Sequence, residues 1–143
     1  METVQIIGIT CTKDLSLINI NDQKCFNNVS KILKSSKICP TEIYMLNNIA
    51  CFVLHNTDIS QFISNSKKQY IESITNVAII SVVGFGLNNQ KSLIFTIISA
   101  MTESSLKIIS ISSSNTKISC TVQGNKIEIA QQILHEKLCI SQV

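Results

Sequence analysis

The sequence predicts an α+β protein built from two similar units, each an antiparallel sheet with helices on one face. Short runs of β-branched and apolar residues indicate strands, and apolar residues at helical spacing indicate helices. These patterns occur twice along the chain in the order strand, helix, strand, strand, helix. Each copy is close to the βαββαβ ferredoxin-like unit. The repeat also predicts pairing, within one chain or between chains, because paired units hide their edge strands.

The first copy opens with two strand patterns. Residues 3–11 (VQIIGITCT) are apolar and β-branched, and residues 15–20 (LSLINI) alternate between apolar and polar. Lys13 and Asp14 between them predict a turn. Residues 21–24 (NDQK) predict a polar loop before the first helix.

A helix and a hairpin come next. The apolar stripe of the helix consists of Phe26, Val29 and Leu33. The helix must end before Pro40, because proline cannot continue a helix. Residues 41–46 and 49–54 predict a hairpin across Asn47-Asn48, a pair that tolerates left-handed turn geometry.

The first copy is expected to end with a second helix and a short strand. Thr57 or Asp58 can cap the helix. The residues predicted to face inward are Ile59, Phe62 and Ile63. Residues 71–74 predict a short strand, and Asn76 predicts a break before the second copy.

The second copy begins with a stronger strand signal. Residues 77–83 are continuously apolar, as in a central strand, and Gly84 and Gly86 give the backbone freedom at its end. Ser92 is a suitable N-cap for the next helix. The apolar stripe of that helix consists of Ile94, Ile97, Ile98 and Met101.

Two strands and a helix complete the second copy. The strands are predicted at 106–112 and 116–122, and Gly124-Asn125 predicts a turn. The stripe of the last helix consists of Ile127, Ala130, Leu134 and Leu138.

Composition excludes several classes of protein. The net charge of +3 comes from scattered lysines, and the predicted strands carry only Tyr44 and Phe52 as aromatic residues, so a nucleic-acid partner is not expected. No apolar run reaches the length of a membrane helix, and the opening METVQIIGIT lacks a basic segment before an apolar one. We therefore expect a cytoplasmic protein without a membrane partner.

Neither the cysteines nor the glycines form a site motif. The six cysteines make no CxxC pair, and the two histidines are not spaced like zinc ligands, so reduced and mostly buried thiols and no metal are expected. The four glycines make no phosphate-binding pattern. His135 is expected to be a surface residue rather than a catalytic one. No catalytic residue is predicted.

Four segments resemble motifs of one enzyme family. Residues 84–87 (GFGL) resemble a G-x-G-M segment, and residues 111–119 (ISSSNTKIS) are similar to I-S-T-S-E-I-R-I-S without a gap. Residues 135–138 (HEKL) resemble a terminal H-E-x-F/L, and residues 7–14 (IGITCTKD) resemble the strand V-x-G-I-A-x-x-K-D. In this order the segments are similar to the regulatory region of aspartate kinases, which carries two ACT modules.

The resemblance implies an interwoven arrangement of the two ACT modules. The first module would span 15–75 and would be inserted in the second. The second would span 76–143, with the N-terminal strand 3–12 joining its sheet. The kinase catalytic domain, with its ATP and Mg²⁺, would lie outside this chain as a partner, so no cofactor is expected here.

The resemblance also implies a function. Such modules bind an end-product amino acid, usually lysine or threonine, where two protomers meet, and thereby control lysine, threonine and methionine biosynthesis by feedback inhibition. Backbone N–H groups would hold the carboxylate of this effector, and oxygen atoms would accept from its ammonium group. By position, the effector-binding residues would be Asn21, Asp22, Gln23, Lys24, Tyr44, Asn47, Leu87, Asn88, Asn89, Gln90, Ser113, Ser114 and Asn115.

The sequence departs from the family at these loops and leaves alternatives open. Lys91-Ser92 stands where the family carries Pro-Gly, and Asn115 replaces a glutamate. Asp22 fits an acceptor for an amino group, and it fits equally a solvated turn residue or a helix cap. We expect a homodimer, for which residues 77–83 and 106–112 offer uncharged strand edges. The alternatives are a non-sensing dimerisation module and a free-standing ACT protein.

Overall fold

The computed structural model describes residues 5–47, 49–66 and 68–138, apart from the side chains of Gln23 and Lys68. Its strands are β1 Gln5–Ile20, β2 Glu42–Leu46, β3 Ile49–His55, β4 Ile71–Phe85, β5 Ser110–Ser113 and β6 Lys117–Gln123. Its α-helices are α1 Gln23–Ser35, α2 Asn56–Asn65, α3 Leu93–Glu103 and α4 Ile127–Leu138. Short 3-10 turns occupy Lys68–Tyr70, Leu87–Asn89 and Gly124–Lys126. The predicted α+β class, with antiparallel sheets and helices, is confirmed.

The chain divides into two compact units. Asp14–Asn76 form one, which we call the inserted unit. The residues up to Lys13 and those from Val77 onward form the other, which we call the C-terminal unit. The long strands β1 and β4 each contribute residues to both units.

In the inserted unit the strand order is β2-β3-β1-β4. Strand β3 pairs antiparallel with β1, from Leu15 opposite His55 to Ile20 opposite Ala50, and antiparallel with β2 on its other side. Helices α1 and α2 cover one face, where Phe52 contacts Phe62 edge to face at a centroid distance of 5.4 Å. The fully or nearly buried residues of this core are Ile18, Ile20, Val29, Leu33, Ile38, Ala50, Phe52, Leu54 and Phe62.

In the C-terminal unit the strand order is β1-β4-β6-β5. Strand β6 pairs antiparallel with β4, with Val77 opposite Gln123, and with β5, with Ser113 opposite Ile118. Helices α3 and α4 pack on the face that carries Ala78, Ile80 and Val82. The predicted stripes of both helices are confirmed: the buried residues among them are Ile97, Met101, Ile127, Ala130 and Leu134.

Two predicted interruptions of the chain are wrong. No turn occurs at Lys13-Asp14, because β1 continues through both residues, although Asp14 adopts a left-handed φ of 59°. A single left-handed residue inside a strand is a feature of β-bulges, which bend a strand without ending it. Asn76 does not interrupt its strand either, since β4 runs unbroken from Ile71 to Phe85, although the boundary between the two units falls directly after Asn76.

Three smaller predictions also need correction. Helix α2 begins at Asn56 after His55, so Thr57 and Asp58 lie in its first turn and do not precede it. Ile63 does not face the core. Strand β5 is shorter than predicted, and Leu106 is buried in the segment before it.

Residues 77–83 are not a strand edge, because β4 lies between β1 and β6. The other predicted edge, 106–112, does include part of an outer strand, because β5 (Ser110–Ser113) ends the strand order of the C-terminal unit. In the inserted unit one outer strand is β2. The hairpin between β2 and β3 is confirmed, and Asn47 has the left-handed φ of 52° that the sequence predicts, while Asn48 lies outside the described residues.

Candidate functional site

The loop after β4 contains four of the predicted effector-binding residues. Gly86 has a φ of 64°, which glycine adopts without steric cost, and it turns the chain into the 3-10 turn Leu87–Asn89. Leu87 is only 2% exposed, and its side chain packs in the core of the C-terminal unit. The side chains of Asn88, Asn89 and Gln90 are exposed.

The turn between β5 and β6 holds the other three predicted residues of this unit. Ser113 ends β5 and is exposed. The Ser114 N–H donates to the Lys117 carbonyl at 2.8 Å, and its hydroxyl oxygen accepts from the Lys117 N–H at 3.1 Å. These two bonds fix the turn and place Asn115 at its tip.

Asn115 joins the loop and the turn. Its backbone carbonyl accepts from the Leu87 N–H at 2.9 Å, and its side-chain Oδ1 accepts from the Asn88 N–H at 3.3 Å. The Asn89 and Gln90 N–H groups donate to Gly86 and Leu87 within the 3-10 turn. The structure therefore brings the predicted residues of the C-terminal unit together, with these four amides already engaged by the chain itself.

In the inserted unit Asp22 is the N-cap of α1. The Cys25 N–H donates to Asp22 Oδ1 at 2.9 Å. This hydrogen bond lowers the pKa of the Asp22 carboxyl below its ordinary value, so the exposed group is a carboxylate at neutral pH. Of the alternatives that the sequence left open for Asp22, the helix cap is observed.

The neighbours of Asp22 are held by the segment before β4. The Asn21 N–H donates to the Tyr70 carbonyl at 3.1 Å, and the Asn21 side-chain amide donates to the Gln69 carbonyl. Gln23 is the first residue of α1, and Lys24 follows it with an exposed side chain.

The predicted residues of the β2–β3 hairpin, Tyr44 and Asn47, lie at different distances from its turn. Ile20 and Met45 are both opposite Ala50, so the end of β1 and the hairpin turn with Asn47 share one end of the sheet. Tyr44 lies one residue further into β2, opposite Cys51, and is half-buried. Among the described residues, the hydrogen bonds of Asn21 and Asp22 go to Gln69, Tyr70 and Cys25 rather than to the hairpin.

Two contacts could not be inferred from the sequence. A Cβ atom placed on Gly84 would lie 2.1 Å from the Gln5 carbonyl oxygen, so β1 and β4 approach closely at the end of the strand that leads to the loop. Gln69 and Tyr70 anchor the loop that begins at Asn21. Both contacts join residues far apart in sequence, and no local pattern marks them.

The cysteines are free thiols wherever the structure describes them. Cys51 and Cys120 are buried, Cys11 and Cys25 are half-buried and Cys39 is exposed. Burial raises the pKa of the Cys120 thiol to about 11, which keeps it protonated at neutral pH. Cys139 lies outside the described residues.

The described residues provide neither a cluster of metal ligands nor a membrane-spanning helix. Within residues 5–47, 49–66 and 68–138, no three His, Cys, Asp or Glu side chains cluster as metal ligands would. None of the helices described there has the length and apolar character needed to cross a membrane. An open hollow of about 400 Å³ on α4 is lined by Glu128, Gln131, Gln132, His135 and Glu136, and it contains none of the predicted site residues.

Comparison with known proteins supports the resemblance. Residues 80–138 match the family model of the ACT domain. The chain is similar in structure to a chain of the aspartokinase alpha and beta subunits, with a TM-score of 0.81 and 20% identity over 95% of this chain and 100% of that one. It is similar to the regulatory subunit of aspartate kinase from Thermus flavus, with a TM-score of 0.80 and 16% identity over 93% and 98% of the two chains.

A whole enzyme is matched over a smaller share of its length. The chain is similar to Clostridium acetobutylicum aspartate kinase with a TM-score of 0.79 and 20% identity, over 93% of this chain and 34% of the enzyme. A comparison with curated protein sequences found no match. Residues 80–138 thus match the ACT domain model, and the chain has the fold of the regulatory region of aspartate kinases, as its motifs predict.

Proposed function

We propose that this chain is an amino-acid-sensing regulatory protein that controls an aspartate kinase catalytic domain by feedback inhibition. The observation that carries the proposal is the extent of the structural match. The chain covers 98% of a protein described as a regulatory subunit of aspartate kinase, but 34% of a complete kinase. Phosphoryl transfer, with its ATP and Mg²⁺, would then belong to the catalytic domain and not to this chain.

Lysine is the first effector that we propose to test. A structure of E. coli aspartokinase III described as a T-state complex with lysine and aspartate matches 96% of this chain, with a TM-score of 0.69 and 14% identity. Another structure of that enzyme, described as an R-state complex with aspartate and ADP, matches with a TM-score of 0.76 and 15% identity. An effector acts on such a pair of states only when it binds one more tightly than the other. Threonine is the second effector to test.

The chemistry of the inserted unit supports a site for a zwitterion. Asp22 is ionised at neutral pH and exposed at the end of β1, where it can accept hydrogen bonds from an ammonium group while it caps α1. Asn21 lies beside it, and Asn47 lies at the same end of the sheet. We propose that the effector's ammonium group binds Asp22.

The outer strand β2 supports association of two copies. Ile43 and Met45 on β2 are 53% and 51% exposed, although they share a face with the core residues Phe52 and Ala50. Leu46 and Ile49 at the hairpin turn are exposed as well. An apolar outer strand without lysine or proline is a template for pairing with another strand. We propose a homodimer in which the β2 strands of two copies meet.

The test of the sensing function is thermal unfolding with lysine, threonine, methionine or isoleucine. A ligand that binds only the folded protein stabilises it by RT ln(1 + [L]/Kd), about 2.7 kcal/mol at a hundredfold excess over Kd. We expect one amino acid to raise the unfolding temperature, with little response to the others.

Asp22→Asn is the sharpest variant for this test. Asparagine caps helices as well as aspartate does, so the fold is kept while the charge that faces the ammonium group is lost. We expect the ligand-induced shift to disappear in this variant and to persist in Glu103→Gln, which removes an exposed charge at the end of α3. A shift that survives Asp22→Asn would exclude Asp22 from the site.

A second candidate is a dimerisation module that senses no amino acid. It is favoured by the engagement of the Leu87, Asn88, Asn89 and Gln90 amides and of Asp22 within the chain. This candidate predicts a stable dimer whose unfolding temperature responds to none of the four amino acids.

A further inference from the structure

The N-terminal part of β1, residues 5–13, has one open side. Strand β4 is its neighbour on one side. On the other side, within the described residues, β3 pairs with β1 from Leu15 to Ile20 only. Every second backbone N–H and C=O group of residues 5–13 therefore points away from the sheet, as in an edge strand.

This edge lacks the residues with which proteins usually protect edge strands. Charged side chains, especially lysine, and proline commonly keep such a strand from pairing with another chain. Residues 5–12 (QIIGITCT) contain neither a charge nor a proline. Lys13, the next residue, lies 3.7 Å from Glu128 of α4, measured from Nζ to Oε1. The edge is thus open to a further extended segment, which would add to the sheet by main-chain hydrogen bonds.

Helix α4 lies beside this edge and makes its helix side polar. Cys11 of β1 packs against the core that contains Ile127 and Ala130 of α4. The side chains of Lys13 and Glu128 are 53% and 85% exposed, and an exposed ion pair of this kind is worth under about 1 kcal/mol, so Glu128 is available to a cation of another chain. The open hollow of about 400 Å³ on α4 has two carboxylates and no lysine in its lining, which consists of Glu128, Gln131, Gln132, His135 and Glu136. The helix side of the edge therefore favours lysine or arginine in an added strand.

The opposite side of the edge favours an apolar residue. Ile6 packs against the core of the C-terminal unit, whereas its neighbour Ile7 is 55% exposed. Successive side chains of a strand point to opposite faces of the sheet. An added strand would thus place one set of side chains beside the hollow on α4 and the other set beside Ile7. A segment in which basic and apolar residues alternate fits both faces.

We propose that residues 5–13 and the hollow on α4 form a docking groove for an extended segment of the aspartate kinase catalytic chain, in which basic and apolar residues alternate. A second copy of this chain fits less well, because its own edge is uncharged and would bring a second Glu128. The homodimer contact proposed above uses β2 of the inserted unit and leaves this edge free. The identity of the partner rests on the proposed function, whereas the groove can be tested with a peptide.

The first experiment is amide NMR of the ¹⁵N-labelled chain with the synthetic peptide KVKVKVK. We expect the amide signals of Ile7, Ile9 and Gln131 to move, and every second amide of residues 5–13 to exchange more slowly with solvent. The peptide EVEVEVE should leave these signals in place. Equal responses to the two peptides, or movement only in other parts of the chain, would overturn the proposal.

Two variants with matched controls locate the contact. Glu128→Gln should weaken binding of KVKVKVK about fivefold, while Glu103→Gln, an equal change on α3, should not. Ile7→Lys sets a positive charge on the edge and should weaken binding at least about fivefold, while Ile63→Lys, at an exposed position of α2, should not. An affinity that neither Glu128→Gln nor Ile7→Lys changes would exclude the groove.

The same preparation separates the other occupants. If the amides of residues 5–13 exchange more slowly as the concentration of the free chain rises, a second copy covers the edge and the proposal fails. An aspartate kinase catalytic chain should co-sediment with the wild type and not with Ile7→Lys, and co-sedimentation with both would place the contact elsewhere. A catalytic chain that binds neither would contradict the proposed function, and the peptide would still decide whether the groove exists.

Discussion

The backbone of β1 leaves no space for a side chain at Gly84. A Cβ atom at this position would overlap the Gln5 backbone carbonyl, which cannot rotate away as a flexible side chain could. We expect Gly84→Ala to lower the free energy of unfolding by about 1–3 kcal/mol, as overpacking usually does. Urea unfolding measures the change.

Gly8→Ala is the matched control for that variant. Nothing lies within 4 Å of a Cβ atom built on Gly8, which is also in β1. Alanine loses less backbone freedom than glycine on folding, so this variant should be unchanged or slightly more stable. Equal destabilisation of the two variants would contradict the close approach at Gly84.

The lowered pKa of the Asp22 carboxyl predicts that the stability of the fold depends on pH. The Cys25 N–H lowers the carboxyl pKa in the folded chain, so the ionised group stabilises the fold above the ordinary Asp pKa of about 3.9. That contribution is lost as the pH falls through the lower, folded-state pKa. We expect the difference in unfolding free energy between wild type and Asp22→Asn to be constant from pH 5 to 7 and to change below about pH 4. Urea unfolding across this range measures it, and a flat difference down to pH 2.5 would contradict the lowered pKa.

The residues of the candidate site were predictable only in part. The position of Asn115 beside Leu87 and Asn88 followed from family motifs, because those motifs mark the loop and the turn. The partners of Asn21 did not, since Gln69 and Tyr70 lie far along the chain without any pattern of their own. The burial of the Leu87 side chain did not follow from the motifs, because a motif position says nothing about which way a side chain points.

Among the elements, helices were easier to predict than the ends of strands. The stripes of α3 and α4 are repeated every three or four residues, and burial enforces that period. Lys13, Asp14 and Asn76 are polar residues that signal breaks locally, yet they lie within long paired strands. Pairing along a neighbouring strand outweighs the local preference of one or two residues.

Helix α2 packs into the core of the inserted unit mainly through Phe62. Phe62 is its buried residue and meets Phe52 edge to face. Phe62→Ala is expected to lower the free energy of unfolding by about 3–5 kcal/mol, because it removes buried area and leaves a cavity. Phe95→Ala removes the same side chain from a position that is 66% exposed on α3 and should cost within about 0.5 kcal/mol. Similar losses in the two variants would mean that Phe62 is not the anchor of α2.

At the scale of the whole molecule, the proposed dimer makes a separate prediction. Replacing both Ile43 and Met45 with lysine would set positive charges of two copies against each other and remove the apolar contact. We expect sedimentation velocity to show a dimer for the wild type and a monomer for this double variant. Ile129→Lys, at an exposed position of α4, should remain dimeric. A wild-type chain that sediments as a monomer would exclude the proposed β2 contact.

The division of β1 and β4 between the units has a consequence for synthesis on the ribosome. Residues 5–13 are made before the inserted unit, but their strand partner from Val77 onward is made only after it. Because the ribosome adds about 5–20 residues per second, the apolar segment with Ile6, Ile7 and Ile9 remains unpaired with β4 for several seconds. The inserted unit has all its strands by Asn76 and can fold during that interval. During synthesis this part of β1 is therefore exposed to aggregation until residues 77–85 of β4 pair with it.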